Sequence, residues 1–241
     1  MTIEVSVVVP VMNEEDNILP LLDETVSALK DENLEVIFVD DCSTDKTRDL
    51  LVEAKAKYPM LRILRHNNNC GQSSSIRTGI LAARGEVIAV MDGDGQNDPA
   101  DFPALLAAYR DPSAPENLRM VQGHRQKRQD TSNKKFASRV GNGIRQKLIR
   151  DRAPDAGCGI KVFSREIFLR LPYFDHMHRY MAALFLREGC EVHFVPVRHR
   201  ARVHGTSKYG ILDRLWVSIS DLFGVMWLQR RGRMPTSVDE N

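Results

Sequence analysis

The first 92 residues alternate short apolar runs with stretches of helical spacing, and this alternation restricts the fold more than any other feature. Val5 to Val9 is a β-branched run stopped by Pro10; Glu35 to Val39, Leu61 to Leu64 and Val87 to Met91 are three more. Between them, Glu15 to Lys30 carries Ile18, Leu21, Leu22, Val26 and Leu29 at helical spacing. Lys46 to Tyr58 places Leu50, Leu51 and Ala54 on one face behind the capping candidates Thr44 and Asp45, and Gly71 to Arg84 reads as a helix of small residues. The order βαβαβαβ predicts an α/β fold: an open, mostly parallel twisted sheet flanked by helices. In such sheets ligands bind beyond the carboxyl ends of the strands. Those ends are polar here: Pro10, Asn13 and Glu14 after the first strand, Asp40 and Asp41 after the second, Asp92 and Asp94 after the fourth.

The second half is less regular. Phe102 to Tyr109 reads as a short helix, Arg119 to Gly123 and Glu191 to Val197 as strands, and Asn133 to Ile149 as a basic helix. Ala156 to Val162 is glycine-rich and then extended, and Arg179 to Arg187 is helix-like. Arg198 to Gly210 is a polar loop before an amphipathic helix from Ile211 to Arg230. The stretch from Arg233 to Asn241 reads as a frayed tail. There is no internal repeat and no interdomain linker.

A formal net charge of +2 over 241 residues gives no case for nucleic-acid binding. The charge is uneven, however: Arg119 to Arg152 and Arg198 to Lys208 are strongly basic, which suits phosphate groups. The four cysteines (Cys42, Cys70, Cys158, Cys190) have no metal-ligand spacing and read as free thiols of a reducing cytoplasm. The N-terminal residues do not have the pattern of a signal peptide, and no run of 18 apolar residues predicts a membrane span.

The sharpest local signal is Asp92-Gly93-Asp94-Gly95-Gln96. A spacing of two puts both carboxylates on one side of an extended backbone. Hard oxygen ligands of this kind suit Mg²⁺ or Mn²⁺ shared with substrate phosphates. By itself the segment is equally compatible with a solvated turn. Asp40 and Asp41 also end an apolar strand, where a carboxylate can accept hydrogen bonds from a ribose or a base.

Four strings, VVVPVMNEE (7–15), VDDCSTDKT (39–47), the NxxxGQSSSIRTG stretch (67–79) and MDGDGQNDP (91–99), together resemble family 2 glycosyltransferases. Three more, VQGHR (121–125), PDAGCGIKVFSRE (154–166) and RARVHGTSKYG (200–210), resemble the polyprenol-phosphate sugar synthases, of which dolichol-phosphate mannose synthase is the familiar member. The resemblance spans residues 4 to 230; where that branch has an aromatic residue before Asn-Glu, this chain has Met12. It implies one GT-A (Rossmann-like) domain over 1–232, with a nucleotide-sugar half near 1–100, an acceptor half near 101–232, and a tail at 233–241.

The resemblance also implies roles. Pro10, Met12 and Glu14 would line the nucleotide pocket, with Asp41 and Asp40 on the base or ribose and Asp92 facing the nucleotide. Asp94 and Gln96, with Asp92, would hold the divalent cation, and Arg202, Ser207 and Lys208 would clamp the donor diphosphate. Arg125, Lys134, Ser138 and Arg139 would receive the acceptor phosphate. The implied reaction is inverting transfer of a sugar from a nucleotide donor to a polyprenyl phosphate, by an enzyme peripheral to the cytoplasmic face of the membrane. An ionised phosphate needs positioning more than deprotonation. An acceptor sugar hydroxyl in polysaccharide or lipid assembly would instead need a base, for which Asp155 is the first candidate. Asp155 equally fits a turn after Pro154. A non-catalytic nucleotide-sugar or lipid-phosphate binding module is a further alternative, ranked low because the acidic cluster lacks nothing visible. His178 and Arg179 open a helix-like segment that could meet a phosphate or the donor, and His178 otherwise reads as structural or solvent-exposed. The stripe Ile211, Leu215, Ile219, Leu222, Phe223, Met226 and Trp227 fits a helix packed on the domain or one lying on an anionic bilayer.

Overall fold

A computed structural model of the chain describes residues 2–126, 145–200 and 211–232, with 211–218 described by backbone alone. Four strands, β1 (Val5–Val11), β2 (Leu34–Asp40), β3 (Leu61–Arg65) and β4 (Val87–Val90), alternate with helices α1 (Ile18–Ala28), α2 (Thr47–Ala54) and α3 (Gln72–Ala82). Then come α4 (Phe102–Tyr109), β5 (Leu118–Arg125), β6 (Lys161–Ser164), α5 (Arg165–Arg170), α6 (Met181–Arg187), β7 (Glu191–Val197) and α7 (Ile211–Arg231). The sheet order is β3-β2-β1-β4-β6-β5-β7. Strands β1 to β4 are parallel, β6 runs antiparallel to both β4 and β5, and β5 and β7 are parallel.

Successive side chains of a strand point to opposite faces, and both faces are covered. On one, Val7, Val9, Val36 and Phe38 pack with Leu22 of α1, Leu51 of α2 and Phe102 of α4. On the other, Val8, Ile37, Ile88 and Phe163 pack with Ile80 of α3, Phe168 of α5 and Phe185 of α6. Each fully buried side chain of this size contributes about 1.5–3 kcal/mol. The small-residue character of α3 follows from its proximity to the sheet: a Cβ on Gly79 would lie 2.4 Å from Val8 Cγ1.

The chain leaves β1 for β2 on one side and returns to β4 on the other, so the loops after β1 and β4 part at a topological switch point. That point positions the site. In the second half the antiparallel β6 wedges between β4 and β5. The strand expected at Arg119 to Gly123 extends over Leu118–Arg125. The short helix α5, which the sequence reading left out, starts where the Ser164 side chain accepts from Ile167 N. Of the basic helix expected at Asn133 to Ile149, residues 145–149 are described and are helical.

The final helix divides its apolar residues between two surroundings. Val225 is fully buried against Ile149, Tyr180 and Ala183, with Leu222 and Met226 beside it. Arg187 of α6 donates to the Leu228 carbonyl at 3.1 Å, near the C-terminal end of α7, where a cation suits the helix dipole. Ile219, Phe223 and Trp227, spaced by four, are exposed. The single stripe of the sequence reading is therefore two: one face packs on α6, and the other is open.

Candidate active site

Loops after three parallel strands are laced together at the carboxyl edge. Asn13, in the left-handed region at φ 52°, accepts from Thr44 N at 2.7 Å and donates its own N–H to Ser43 Oγ at 2.9 Å. Glu14 N donates to Thr47 Oγ1 at 2.9 Å, and Asp45 accepts from Thr47 N, at the first residue of α2, at 3.0 Å. Asn69, on the loop after β3, donates to Met12 Sδ at 2.8 Å. Met12 thus sits where the loops after β1 and β3 meet.

The two adjacent acids after β2 have different surroundings. Asp40 is fully buried, accepts from Ser43 N at 2.9 Å and lies 3.6 Å from Arg65 Nε. Asp41 accepts from Cys70 N at 2.9 Å, from Gly71 N at 2.8 Å and pairs with His66 Nδ1 at 2.8 Å. It therefore fixes the loop from His66 to Gly71 that forms the rim before α3. Asp41, His66 and Cys70 are the group of three among the described residues whose ligand atoms lie within 4.8 Å of one another. Their contacts are hydrogen bonds that organise this rim.

The acidic turn follows β4. Asp92 Oδ1 accepts from Gln72 Nε2 at 2.6 Å, its backbone N–H donates to Asn97 Oδ1 at 3.0 Å, and Gln96 N donates to Asp94 Oδ1 at 3.1 Å. Two glycines allow the turn its place. A Cβ on Gly93 would lie 2.4 Å from Val11 Cγ1, and one on Gly159 would lie 2.2 Å from Asp92 Oδ2. The segment leaving β7 is tied to this turn: Arg200 N donates to Gln96 O at 3.0 Å, and the Arg200 guanidinium bridges Asp98 at 2.7 Å and Glu24 at 2.6 Å.

A cleft of about 670 Å³ opens beside the turn. Gln72, Asp92, the 156–159 loop, His178 and Arg179 line it, together with Ile76, Val90, Met181 and Lys161. Asp155 does not stand in it as a solitary carboxylate. It takes the Arg125 Nε at 2.6 Å and Nη2 at 2.8 Å, a bidentate pair with both partners largely buried. Lys134, Ser138, Arg139, Arg202, Ser207 and Lys208 lie outside the described residues.

The model of the family described as Glycosyl transferase family 2 matches residues 6–171. The chain belongs to glycosyl transferase family 2. Over 97% of its length it is 34% identical to a dodecaprenyl-phosphate galacturonate synthase from Rhizobium johnstonii, covering 70% of that protein. Over 86% of its length it is 33% identical to an undecaprenyl-phosphate 4-deoxy-4-formamido-L-arabinose transferase from Edwardsiella ictaluri, covering 63% of that one. Among solved structures it resembles glucosyl-3-phosphoglycerate synthase from Mycobacterium tuberculosis with Mn²⁺, UDP-glucose and phosphoglyceric acid (TM-score 0.68, 19% identity, 94% of this chain and 79% of that one). It also resembles the mannosyltransferase PcManGT from Pyrobaculum calidifontis with GDP-Man and Mn²⁺ (TM-score 0.67, 20% identity, 98% of this chain and 66% of that one). These likenesses show the GT-A fold expected from the sequence.

The electrostatics of this family 2 glycosyltransferase fit a divalent cation at the turn. Burial, and then the charge of Asp94, push the Asp92 carboxyl above its ordinary value. Two carboxylates that repel in this way gain from a shared cation. Burial pushes the Cys158 thiol up to about 11, which makes it an inert thiol and a poor nucleophile.

One cleft residue, Lys161, escaped the sequence reading, and His178 combines a structural hydrogen bond with a place in the cleft lining. His178 is not solvent-exposed: it lines the cleft, its Nδ1 lies 2.7 Å from Ser73 Oγ, and burial followed by the charges of Lys161 and Arg179 pushes it down to about 3. Lys161, 5% exposed, hydrogen-bonds the Cys158 carbonyl, and burial lowers its pKa. One signal was available for Lys161, a lone lysine inside an otherwise apolar strand segment. The His178–Ser73 contact gave none, because Ser73 is distant in sequence.

Proposed function

We propose that this chain transfers a sugar, with inversion, from a nucleoside-diphosphate donor to a polyprenyl phosphate within a single catalytic domain spanning 1–232. The observation that carries the reading is the similarity to two polyprenyl-phosphate sugar transferases along most of the chain. The geometry supports it. Asp94 and Gln96, with Asp92, would hold Mg²⁺ or Mn²⁺, which supplies positive charge against the leaving diphosphate. Pro10, Met12 and Glu14 would border the nucleotide, and the rim held by Asp41 would close on the base or ribose side. Arg202, Ser207 and Lys208 keep the diphosphate role that the resemblance gives them. Arg125, with Lys134, Ser138 and Arg139, would receive the acceptor phosphate.

A phosphate acceptor agrees with the Arg125–Asp155 pair. Asp155 orients the guanidinium that would meet an incoming phosphate. The hydroxyl-acceptor alternative asks Asp155 to act as a base, while both of its oxygens are engaged by Arg125. Among the described residues no helix is long and apolar enough to cross a membrane. A lipid acceptor calls for a surface that meets the bilayer. The exposed face of α7, with Ile219, Phe223 and Trp227 followed by Arg230 and Arg231, has the chemistry of an anionic interface.

The test is a panel of nucleotide sugars with a short-chain polyprenyl phosphate, with and without Mn²⁺ or Mg²⁺. Metal-dependent release of nucleoside diphosphate that needs the polyprenyl phosphate is the expected result. Absence of transfer from every donor would sink the reading.

A further inference from the structure

Two glycines flank Asp94, and Gly95 sits in the left-handed region at φ 72°, so the acidic turn has little stiffness of its own. Hydrogen bonds hold it from two directions. Inside the turn, Gln96 N donates to Asp94 Oδ1 at 3.1 Å and Asp92 N to Asn97 Oδ1 at 3.0 Å. From outside, the Gln96 carbonyl accepts from Arg200 N at 3.0 Å, a residue remote in sequence. Gln96 is thus fixed on both sides of its Cα, by its N–H to the Asp94 carboxylate and by its C=O to Arg200.

An N–H can hold a carbonyl only where its own segment is held. The Arg200 side chain supplies that hold. Its Nη2 lies 2.7 Å from Asp98 Oδ1, and its Nη1 lies 2.6 Å from Glu24 Oε2 of α1. Asp98 is buried, and its Oδ1 also accepts from Ala100 N at 3.0 Å, so the arginine is tied to a carboxylate that is itself fixed. A planar guanidinium reaches two carboxylates on different elements at once, which a point-like ammonium does less well. Arg198 is the contrast. Its backbone N–H donates to Asp101 Oδ2 at 2.8 Å, but its side chain is largely exposed and stands 3.6 Å from Asp98 Oδ2.

We propose that Arg200 is a positioning residue for the divalent cation: anchored on Asp98 and Glu24, it fixes the Gln96 backbone and with it the ligands Asp94 and Gln96. Groups that orient metal ligands tune metal affinity without touching the ion. Both carboxylates that Arg200 meets lie outside the ligand set, so it acts through Gln96. Arg202, two residues on in the sequence, is the residue to which the resemblance gives the donor diphosphate, and the experiment separates that role from this one. The inference rests on the metal site of the proposed transferase, and metal binding is read apart from transfer.

The test titrates Mn²⁺ into the intact chain in the presence of UDP or GDP and follows the free Mn²⁺ signal by electron paramagnetic resonance. Arg200→Ala is expected to weaken Mn²⁺ binding by about tenfold, the lower end of the range for losing a group that orients a metal ligand. Arg200→Lys, which keeps a cation against Asp98, recovers part of that loss. Arg198→Ala binds Mn²⁺ as the wild type does, because its side-chain contact is long and exposed. Without metal, UDP or GDP binds Arg200→Ala and the wild type equally, and excess Mn²⁺ returns the turnover of Arg200→Ala toward the wild-type value. Thermal melting checks that each variant folds. Should Arg200→Ala fail to fold, Glu24→Ala removes one anchor only and is expected to weaken Mn²⁺ binding by about two- to fivefold, the worth of an exposed ion pair. A lower melting temperature with unchanged Mn²⁺ affinity, in Arg200→Ala or in Glu24→Ala where only that variant folds, overturns the proposal and leaves the arginine a structural tie. An equal loss of nucleotide affinity without metal also overturns it and assigns Arg200 to the diphosphate. Mn²⁺ binding that depends on Arg200, without transfer to polyprenyl phosphate from any donor, would retain this inference while removing the transferase reading; a wild type that binds no Mn²⁺ would remove both.

Discussion

At the residue scale, the site depends on absent side chains as much as on present ones. Gly159 has to be glycine because a Cβ there would stand 2.2 Å from Asp92 Oδ2. Gly159→Ala is expected to displace Asp92 and to reduce metal-dependent turnover far more than it lowers the melting temperature; a parallel fall in both would make this glycine merely structural. Asp94→Ala is expected to cost about 100- to 1000-fold in turnover, the scale for losing a preorganised charge-stabilising group. It should cost more than Arg139→Ala, and the reverse order in steady-state kinetics would mean the metal site is misplaced. His178 gives a pH prediction. The unfolded chain binds a proton there below pH 6.5, the folded chain only near pH 3. Its contribution to stability is therefore complete above pH 6.5 and is lost progressively as the pH falls toward 3. Urea midpoints at pH 7 and pH 4.5 should fall further apart in the wild type than in His178→Gln; an equal difference would reject the assignment.

At the scale of elements, the loops after β1, β2, β3 and β4 act as one surface because side chains of one cap the backbone of the next. Asp41 holds the rim before α3 through two backbone amides, so its loss would loosen a whole loop. The helix α7 presents a separate question. Its inward face is fixed by Val225 and the Arg187 contact, which leaves Phe223 and Trp227 outward. Replacing both by serine should weaken co-sedimentation with anionic vesicles by about tenfold or more, since each aromatic buries substantial apolar area at an interface. Transfer to a water-soluble acceptor analogue should be unaffected. Unchanged vesicle binding would mean that this face meets something other than lipid. The periodicity of α7 was legible in the sequence; its division into two faces was not, because only the position of α6 determines which part of a wide stripe is covered.

At the scale of the whole molecule, the halves meet at the sheet, where β6 of the second half lies beside β4 of the first. The Arg125–Asp155 pair joins β5 to the loop before β6, and removing one partner of such a largely buried pair costs about 3–5 kcal/mol. Asp155→Ala should therefore lower the denaturant midpoint as well as turnover, and a fully stable but inactive variant would revive Asp155 as a base. The first four strands, their helices and the acidic turn were legible in the chain itself, because period-two and period-3.6 patterns report burial directly and polar residues must gather where buried strands end. The same residues could not say which acid serves which purpose. Asp40 and Asp41 are adjacent and chemically alike, yet one turns into the interior and the other onto a loop 30 residues away. Nor could spacing reveal that β6 runs antiparallel, that Lys161 shares a face with Val90, or that Ser73 meets His178. Those are contacts between segments remote in sequence, set by how the sheet is ordered and by which faces its helices cover. The sequence by itself determined an α/β sheet with an acidic edge; the tertiary structure decided that Asp92 of those acids, an unannounced lysine and His178 line the same cleft, because that depends on how the sheet is ordered.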